Sequence, residues 1–451
     1  MIHTLKSLGG MVVAPHHLAA QAGRDILRNG GNAIEAMVAA AATIAVVYPH
    51  MNAIGGDGFW VIHEPGKAPV AIDACGPAAA LATMDFYAGH KAIPARGPQA
   101  ALTVAGTIGG WIEALKISDA WGGKVALPNL LSEAIRHAQN GVAVSASQSS
   151  LTRQKLEGLK NCPGFADTYL VNGQPPEPGH VLKQPVLART LDHLAQHGLD
   201  DFYRGALAER MAADLIRVGS PLRLSDLQSY HASVVKPLSV RLSDSSVYNL
   251  PPPTQGLSAL MIIGLFDALG VSEGEGFAHV HGLVEATNRA CRVRDRVVTD
   301  PRRVPADPQG FLASDVLATL ASEIDSQKAL PWPDPAKQGD TIWMGAIDAT
   351  GRAVSFIQSV YWEFGSGTVL QYARFRQSLQ QAVSAPRWLL GRTWGDETTS
   401  LKLESRFPDE LVQALKNAGH VIEVLPEAFS DTMGHAGALV RHANGVIEGA
   451  A

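Results

Sequence analysis

Thr341 stands between a polar, proline-rich stretch, Pro331-Trp-Pro-Asp-Pro-Ala-Lys-Gln-Gly-Asp340, and an alternating apolar run, Ile342-Trp-Met-Gly-Ala-Ile347. A threonine hydroxyl is a poor nucleophile until a base sits beside it. One self-contained base is the residue's own α-amine, whose pKa of roughly 8 lies near neutrality. That arrangement needs a chain N-terminus, so it demands that the Asp340–Thr341 bond be cut. An exposed linker that ends in Gly-Asp and runs into a buried strand is a place where the hydroxyl can attack the preceding carbonyl and cut its own chain. On position alone, a threonine that merely starts a strand satisfies the same pattern.

Other patterns carry less chemistry. His279-Val-His281 lies on a helical stretch. At i, i+2 the two rings point apart, and no HExxH accompanies them, so a surface or capping role is expected rather than a metal site. Ile54-Gly-Gly-Asp-Gly-Phe-Trp-Val-Ile62 leads from a tight glycine turn into a β-rich run, a packing or binding corner where backbones approach closely. Cys75, Cys162 and Cys291 are far apart and odd in number, which fits neither a disulfide framework nor a paired-CxxC zinc site and points to a reducing compartment.

The chain has 451 residues, ample for a sizeable core. Hydrophobic residues reach 46 % and charged residues only 18 %, which excludes a disordered chain. Lys and Arg total 37 against 42 Asp and Glu, a net charge of −5 without a block of like charges. A nucleic-acid groove or an anionic membrane surface has no electrostatic footprint here. The start, MIHTLKSLGGMVVAPHH, lacks the apolar core of a secretion signal, so a cytoplasmic protein beginning at Met1 is expected. The longest apolar run, Ala36 to Val47, is too short to span a bilayer and reads as a buried helix.

The elements that must position Thr341 follow from pattern. Leu18 to Asn29 is helical, with Gly30-Gly31 at its stop, and Asn32 three residues before Glu35 makes a capping pair that starts the Ala/Val-rich helix. Residues from about Pro128 to Pro237 alternate helical stretches with Pro/Gly breaks. Pro251-Pro-Pro delivers the chain into an apolar helix near Leu257 to Leu269, and His279 to Asp295 is another helix. The runs 341–347 and 353–359, joined by Asp348-Ala-Thr-Gly351, form a β-hairpin. Phe407 to Gly419 is an amphipathic helix and Val421 to Leu425 a returning strand.

Gly10-Met11, Gly30-Gly-Asn-Ala-Ile-Glu-Ala36, Gly55-Gly-Asp-Gly-Phe59, Pro251-Pro-Pro, Gly339-Asp-Thr341, Phe364-Gly-Ser-Gly367, Ala385-Pro-Arg-Trp388 and Met433-Gly-His-Ala436 occur in the order seen in the γ-glutamyltranspeptidase family. The resemblance covers nearly the whole chain. It implies an α+β fold, the four-layer αββα sandwich of N-terminal-nucleophile hydrolases. It further implies a precursor that cuts itself into a large subunit, 1–340, and a small subunit, 341–451, without metal or organic cofactor. By this resemblance Thr341 is the nucleophile, Ser359 is the hydroxyl residue that hydrogen-bonds it, and Tyr361 and Gly365 lie in the segment lining the site. The implied activity is cleavage of small γ-glutamyl-type amides, glutathione-like substrates, through an acyl-enzyme, with hydrolysis favoured over transfer.

Two departures qualify that expectation. Met84 falls where members acting on γ-glutamyl compounds carry an arginine for the substrate carboxylate, and a thioether lacks the bidentate grip of a guanidinium. Arg96 is either its replacement or a surface arginine. After Leu370 the chain runs directly into Gln371, where the family has on the order of fifty to sixty more residues, including the backbone donors of its oxyanion hole. The chain also stops at Ala451, where the family usually continues. Two alternatives stay open: a glutaryl or cephalosporin-type acylase of the same fold, and a non-catalytic relative that never matures.

Overall fold

The computed structural model describes residues 4–94, 96–331, 340–362, 379–391, 400–430 and 433–451. Its centre is a six-stranded antiparallel sheet in the spatial order Gly10–Val13, Asp340–Asp348, Ala353–Trp362, Asp57–His63, Val70–Ala74 and Ser233–Val235. The central hairpin is the one expected from sequence. Its turn is tied by Asp348, whose Oδ1 accepts the Thr350 N–H at 2.9 Å and the Arg352 N–H at 3.1 Å. Gly351 adopts the positive φ of 88° that the turn requires.

Alternation along these strands divides the sheet into two faces. Ile342, Met344, Ala346, Phe356, Trp60 and Ile62 are buried on one face, in the largest core cluster. Against it lies the helix Ala33–Val47, buried at every position. A helix without a polar face belongs inside a protein rather than on its surface. The expected cap starts it: Asn32 Oδ1 accepts the Ile34 and Glu35 amides, and Glu35 Oε2 accepts the Asn32 N–H at 2.8 Å. Helices His17–Arg28, Thr107–Ala120, Leu127–Asn140 and Pro185–His197 complete this side.

The opposite face meets a three-stranded sheet, Leu5–Ser7, Ile447–Ala450 and Ala438–Arg441. The two sheets approach closely because small residues face each other's side chains. A Cβ at Gly345 would lie 2.7 Å from Leu439 Cδ1, and one at Gly437 2.8 Å from Trp343 Cζ3. Helix Leu379–Ser384 packs on the outside of the smaller sheet. The layers are therefore helix, sheet, sheet, helix, the αββα order expected of an N-terminal-nucleophile hydrolase.

A second helical group, Gly256–Ala268, Phe277–Val297 and Ser314–Ser322, has its own core. Through Val280 and Val284 it also covers the sheet Trp388–Gly391, Ser400–Glu404 and Ile422–Leu425. His279 and His281 are buried there, 3 % and 1 % exposed, which corrects the expectation of a surface position. His279 Nδ1 caps the helix start by accepting the Glu275 N–H at 3.0 Å, while His281 contacts His420 and the Asp325 carbonyl.

Candidate active site

The hairpin positions the expected nucleophile through its register. Asp340 pairs with Trp362 but Ile342 pairs with Gln358, so the ladder is irregular at Thr341 and its backbone stands against the stretch from Ser359 to Tyr361. Irregularities of this kind interrupt pairing and re-aim a side chain at the end of a strand. The side chains of Asp340, Thr341 and Tyr361, and all of Gly365, lie outside the described residues.

Ser359 is 8 % exposed and is held from two sides. Behind it, Gln358 is fully buried and donates Nε2 to Asn52 Oδ1 at 2.7 Å and to the Ala41 carbonyl at 3.3 Å. Asn52 donates in turn to the Tyr48 carbonyl at 2.9 Å, which fixes this end of the strand to the buried helix. Beside it, Gly56 lies so close that a Cβ there would overlap the Ser359 carbonyl. The Gly56 carbonyl accepts the amides of Gly106 at 2.8 Å and Thr107 at 2.9 Å. The glycine-rich corner is thus a close-approach site that clamps the strand carrying Ser359.

Sequence reasoning treated that corner as backbone and overlooked its one acid. Asp57 is the cross-strand partner of Ser359, so both side chains leave the same face of the sheet. Its carboxyl accepts the Gly76 N–H at 3.1 Å. Burial pushes its pKa up to about 6, against the downward pull of the Gly76 and Gly106 amides and with a further upward push from Asp73. Cys75 follows the neighbouring strand, and burial together with Asp73 pushes its thiol well above the usual range. It is therefore a neutral thiol, not a ready nucleophile. The signal in the sequence was the alternation Asp57, Phe59, Val61 opposite the buried Trp60 and Ile62.

Met84 is 89 % exposed. Arg96 is exposed, and its charge helps to lower the pKa of Lys155 after the larger effect of burial. Among the described residues no group of three or more His, Cys, Asp or Glu side chains is placed to hold a metal ion. No helix among them is long and apolar enough to cross a membrane. The Met433–Ala436 motif reaches the N-terminal half through His435, whose Nε2 lies 2.9 Å from the Tyr48 hydroxyl.

Known proteins share both the sequence and this fold. The sequence profile of the family described as Gamma-glutamyltranspeptidase matches residues 19–373 and 367–451. The oxamate amidohydrolase proenzyme of Klebsiella pneumoniae is 47 % identical over 511 aligned residues, covering 98 % of this chain and 97 % of that protein. The glutathione hydrolase-like YwrD proenzyme of Bacillus subtilis is 34 % identical, covering 98 % and 96 %. The crystal structure of cephalosporin acylase from Bacillus halodurans superposes with a TM-score of 0.89 at 26 % identity, over 100 % of this chain and 95 % of that one. The 511-residue alignment is longer than the 451 residues here, and the two profile segments meet at 367–373, beside the Leu370–Gln371 junction where the family's extra residues are wanting. That junction lies outside the described residues. With the sandwich, the hairpin and the ordered motifs in agreement, this chain belongs to the γ-glutamyltranspeptidase family of amidohydrolases.

Proposed function

We propose that the chain is a proenzyme that cuts itself between Asp340 and Thr341, giving a large subunit 1–340 and a small subunit 341–451, and that the mature protein hydrolyses a small amide. The observation that carries this reading is the hairpin register, in which the backbone of Thr341 stands against the strand bearing Ser359. The Thr341 hydroxyl adds to the amide carbonyl while its freed α-amine takes the hydroxyl proton. Collapse of the tetrahedral intermediate breaks the carbon–nitrogen bond, and the ammonium returns the proton to the departing amine. Water then attacks the Thr341 ester by the same base, releasing the acid. Ser359 orients the hydroxyl, Tyr361 and Gly365 border the acyl group, and Arg96 is the candidate anchor for a substrate carboxylate.

Oxamate is the first substrate to test, because the 47 % identical relative carries that activity in its name. A γ-glutamyl amide is the second, after the glutathione hydrolase-like relative. The fold neighbour named as a cephalosporin acylase makes a glutaryl amide the third. Intact mass measurement of the purified protein should give two chains, the smaller beginning at Thr341, and Thr341→Ala should remain one chain. Release of ammonia from oxamate, or of amine from the other two amides, identifies the acyl group. A single uncut chain that releases none of these products overturns the proposal and favours an inert binding relative.

A further inference from the structure

We propose that Asp57 is a positioning residue for Ser359, acting through the glycine corner that presses on the Ser359 backbone. This rests on the reading of Thr341 and Ser359 given above. The connection is continuous. The Asp57 carboxyl accepts the Gly76 amide at 3.1 Å, and the nearby Gly106 amide favours its charged form. Gly106 and Thr107 donate to the carbonyl of Gly56, and Gly56 touches the Ser359 carbonyl. Asp57 is also the direct strand partner of Ser359. Gly76 and Gly106 have no freedom to retreat, since a Cβ on either would overlap the backbone of Val104 or Ala74 respectively. A change at the carboxyl is therefore passed to the strand rather than absorbed.

The carboxyl makes no ion pair among the described residues. The titratable groups facing it are Asp73 and Cys75 from the neighbouring strand and its end, Tyr230 from the segment before the edge strand, and Tyr203 from helix Asp201–Arg204. Burial holds both phenols and the thiol un-ionised. Tyr203 donates to the Ala105 carbonyl and accepts the Gly109 amide, each at 2.8 Å, while the Tyr230 hydroxyl has no hydrogen-bond partner among the described residues. Nothing in this set offers Asp57 a compensating positive charge. Among the described residues the ionised carboxylate is supported by backbone amides alone, and protonation weakens that charge-assisted support. Since burial brings the group's pKa up to about 6, the corner slackens as the pH falls through that value.

The test compares processed wild-type protein, Asp57→Asn and Asp57→Glu, following ammonia release from oxamate, or amine release from whichever amide is turned over, between about pH 4.5 and 8. Wild type should lose kcat on the acid side with an inflexion near pH 6. Asp57→Asn cannot ionise and presents an N–H to one of the two amides. It should mature to two chains, keep its KM within about twofold, lose about tenfold or more in kcat, and show no inflexion near pH 6. Asp57→Glu should restore part of kcat and an acid inflexion. A merely structural aspartate would lower kcat without moving the inflexion, and that result overturns the proposal. If Asp57→Asn does not mature, the wild-type profile decides, and absence of the inflexion is fatal. Failure of the wild-type chain to mature or to turn over any amide counts against the Thr341 reading and this one together, whereas a mature, active enzyme with a flat acid limb counts against Asp57 alone.

Discussion

Gly56 and Ser359 are in backbone contact across the sheet, with no space between the Gly56 Cα hydrogen and the Ser359 carbonyl for a methyl group. The atoms that would have to yield are backbone atoms, already committed to the ladder with Asp57–His63. Gly56→Ala should therefore destabilise the protein by about 1–3 kcal/mol and depress both maturation and turnover. Gly55→Ala is the control, because a Cβ there meets nothing within 4 Å. Its unfolding free energy should stay within about 0.5 kcal/mol of wild type. Equal midpoints for the two variants would show that the contact does not constrain the strand.

The cap of the central helix also ties distant segments together. Asn32 Nδ2 donates to Ser118 Oγ at 2.7 Å, and Glu35 Oε1 accepts the Val125 N–H at 2.8 Å, so one buried pair starts the helix and fixes the chain around Ser118–Val125. Asn32→Ala removes the cap and leaves the Ile34 and Glu35 amides without their acceptor. A loss of about 2 kcal/mol is expected, at the upper end for N-cap removal because the site is buried. Urea unfolding with an unchanged slope is the appropriate measurement.

Acid should unfold the protein partly through its histidines. Burial lowers the pKa of His50 to about 3, helped by the charges of His435 and His16, and that of His16 to about 4, helped by His17 and His137. Above the unfolded value of about 6.5 these groups are neutral in both states and cost nothing. Below it the unfolded chain takes up protons that the folded chain refuses, so stability falls as the pH drops from about 6.5 towards 3 to 4. The slope is at most about 1.4 kcal/mol per pH unit for each proton. His50→Asn should flatten the stability profile between pH 6 and 4 by up to one proton. An unaltered slope would remove His50 from the account.

Much of the scaffold was legible because local signals agreed with the tertiary result. Asn32 with Glu35 announced a capping box, Asp348 to Gly351 announced the hairpin turn, and alternation in 341–347 and 353–359 announced two half-buried strands. The burial of His279 and His281 was not legible, since their helix is covered by a sheet assembled from residues 388–425, far along the chain. Asp57 was hidden for a related reason. Its partner Ser359 is 302 positions away, and only the sheet order makes them neighbours.

The Ala385-Pro-Arg-Trp388 motif has a physical explanation that leads to a further test. Arg387 reaches Glu404 through Nε at 3.1 Å and Nη2 at 2.7 Å, and its other nitrogen reaches the Gly434 carbonyl within the Met433–Ala436 motif. Arg406 also binds Glu404, which is completely buried and accepts the Ser430 amide at 3.2 Å. Burial alone would raise the pKa of Glu404, but the Arg387 amide and the two guanidinium groups together hold it below its ordinary value. Its stabilising contribution is therefore present above the unfolded carboxyl range near pH 4 and is lost as the pH falls below it. Glu404→Gln strands two arginines without a counter-charge and should cost about 3–5 kcal/mol at neutral pH, with the difference from wild type shrinking in acid. Glu404→Gln with Arg387→Met should recover part of that loss, because the deeper of the two stranded charges is gone. Full additivity of the two single losses in a denaturant series would show that the pair is not the link between these motifs.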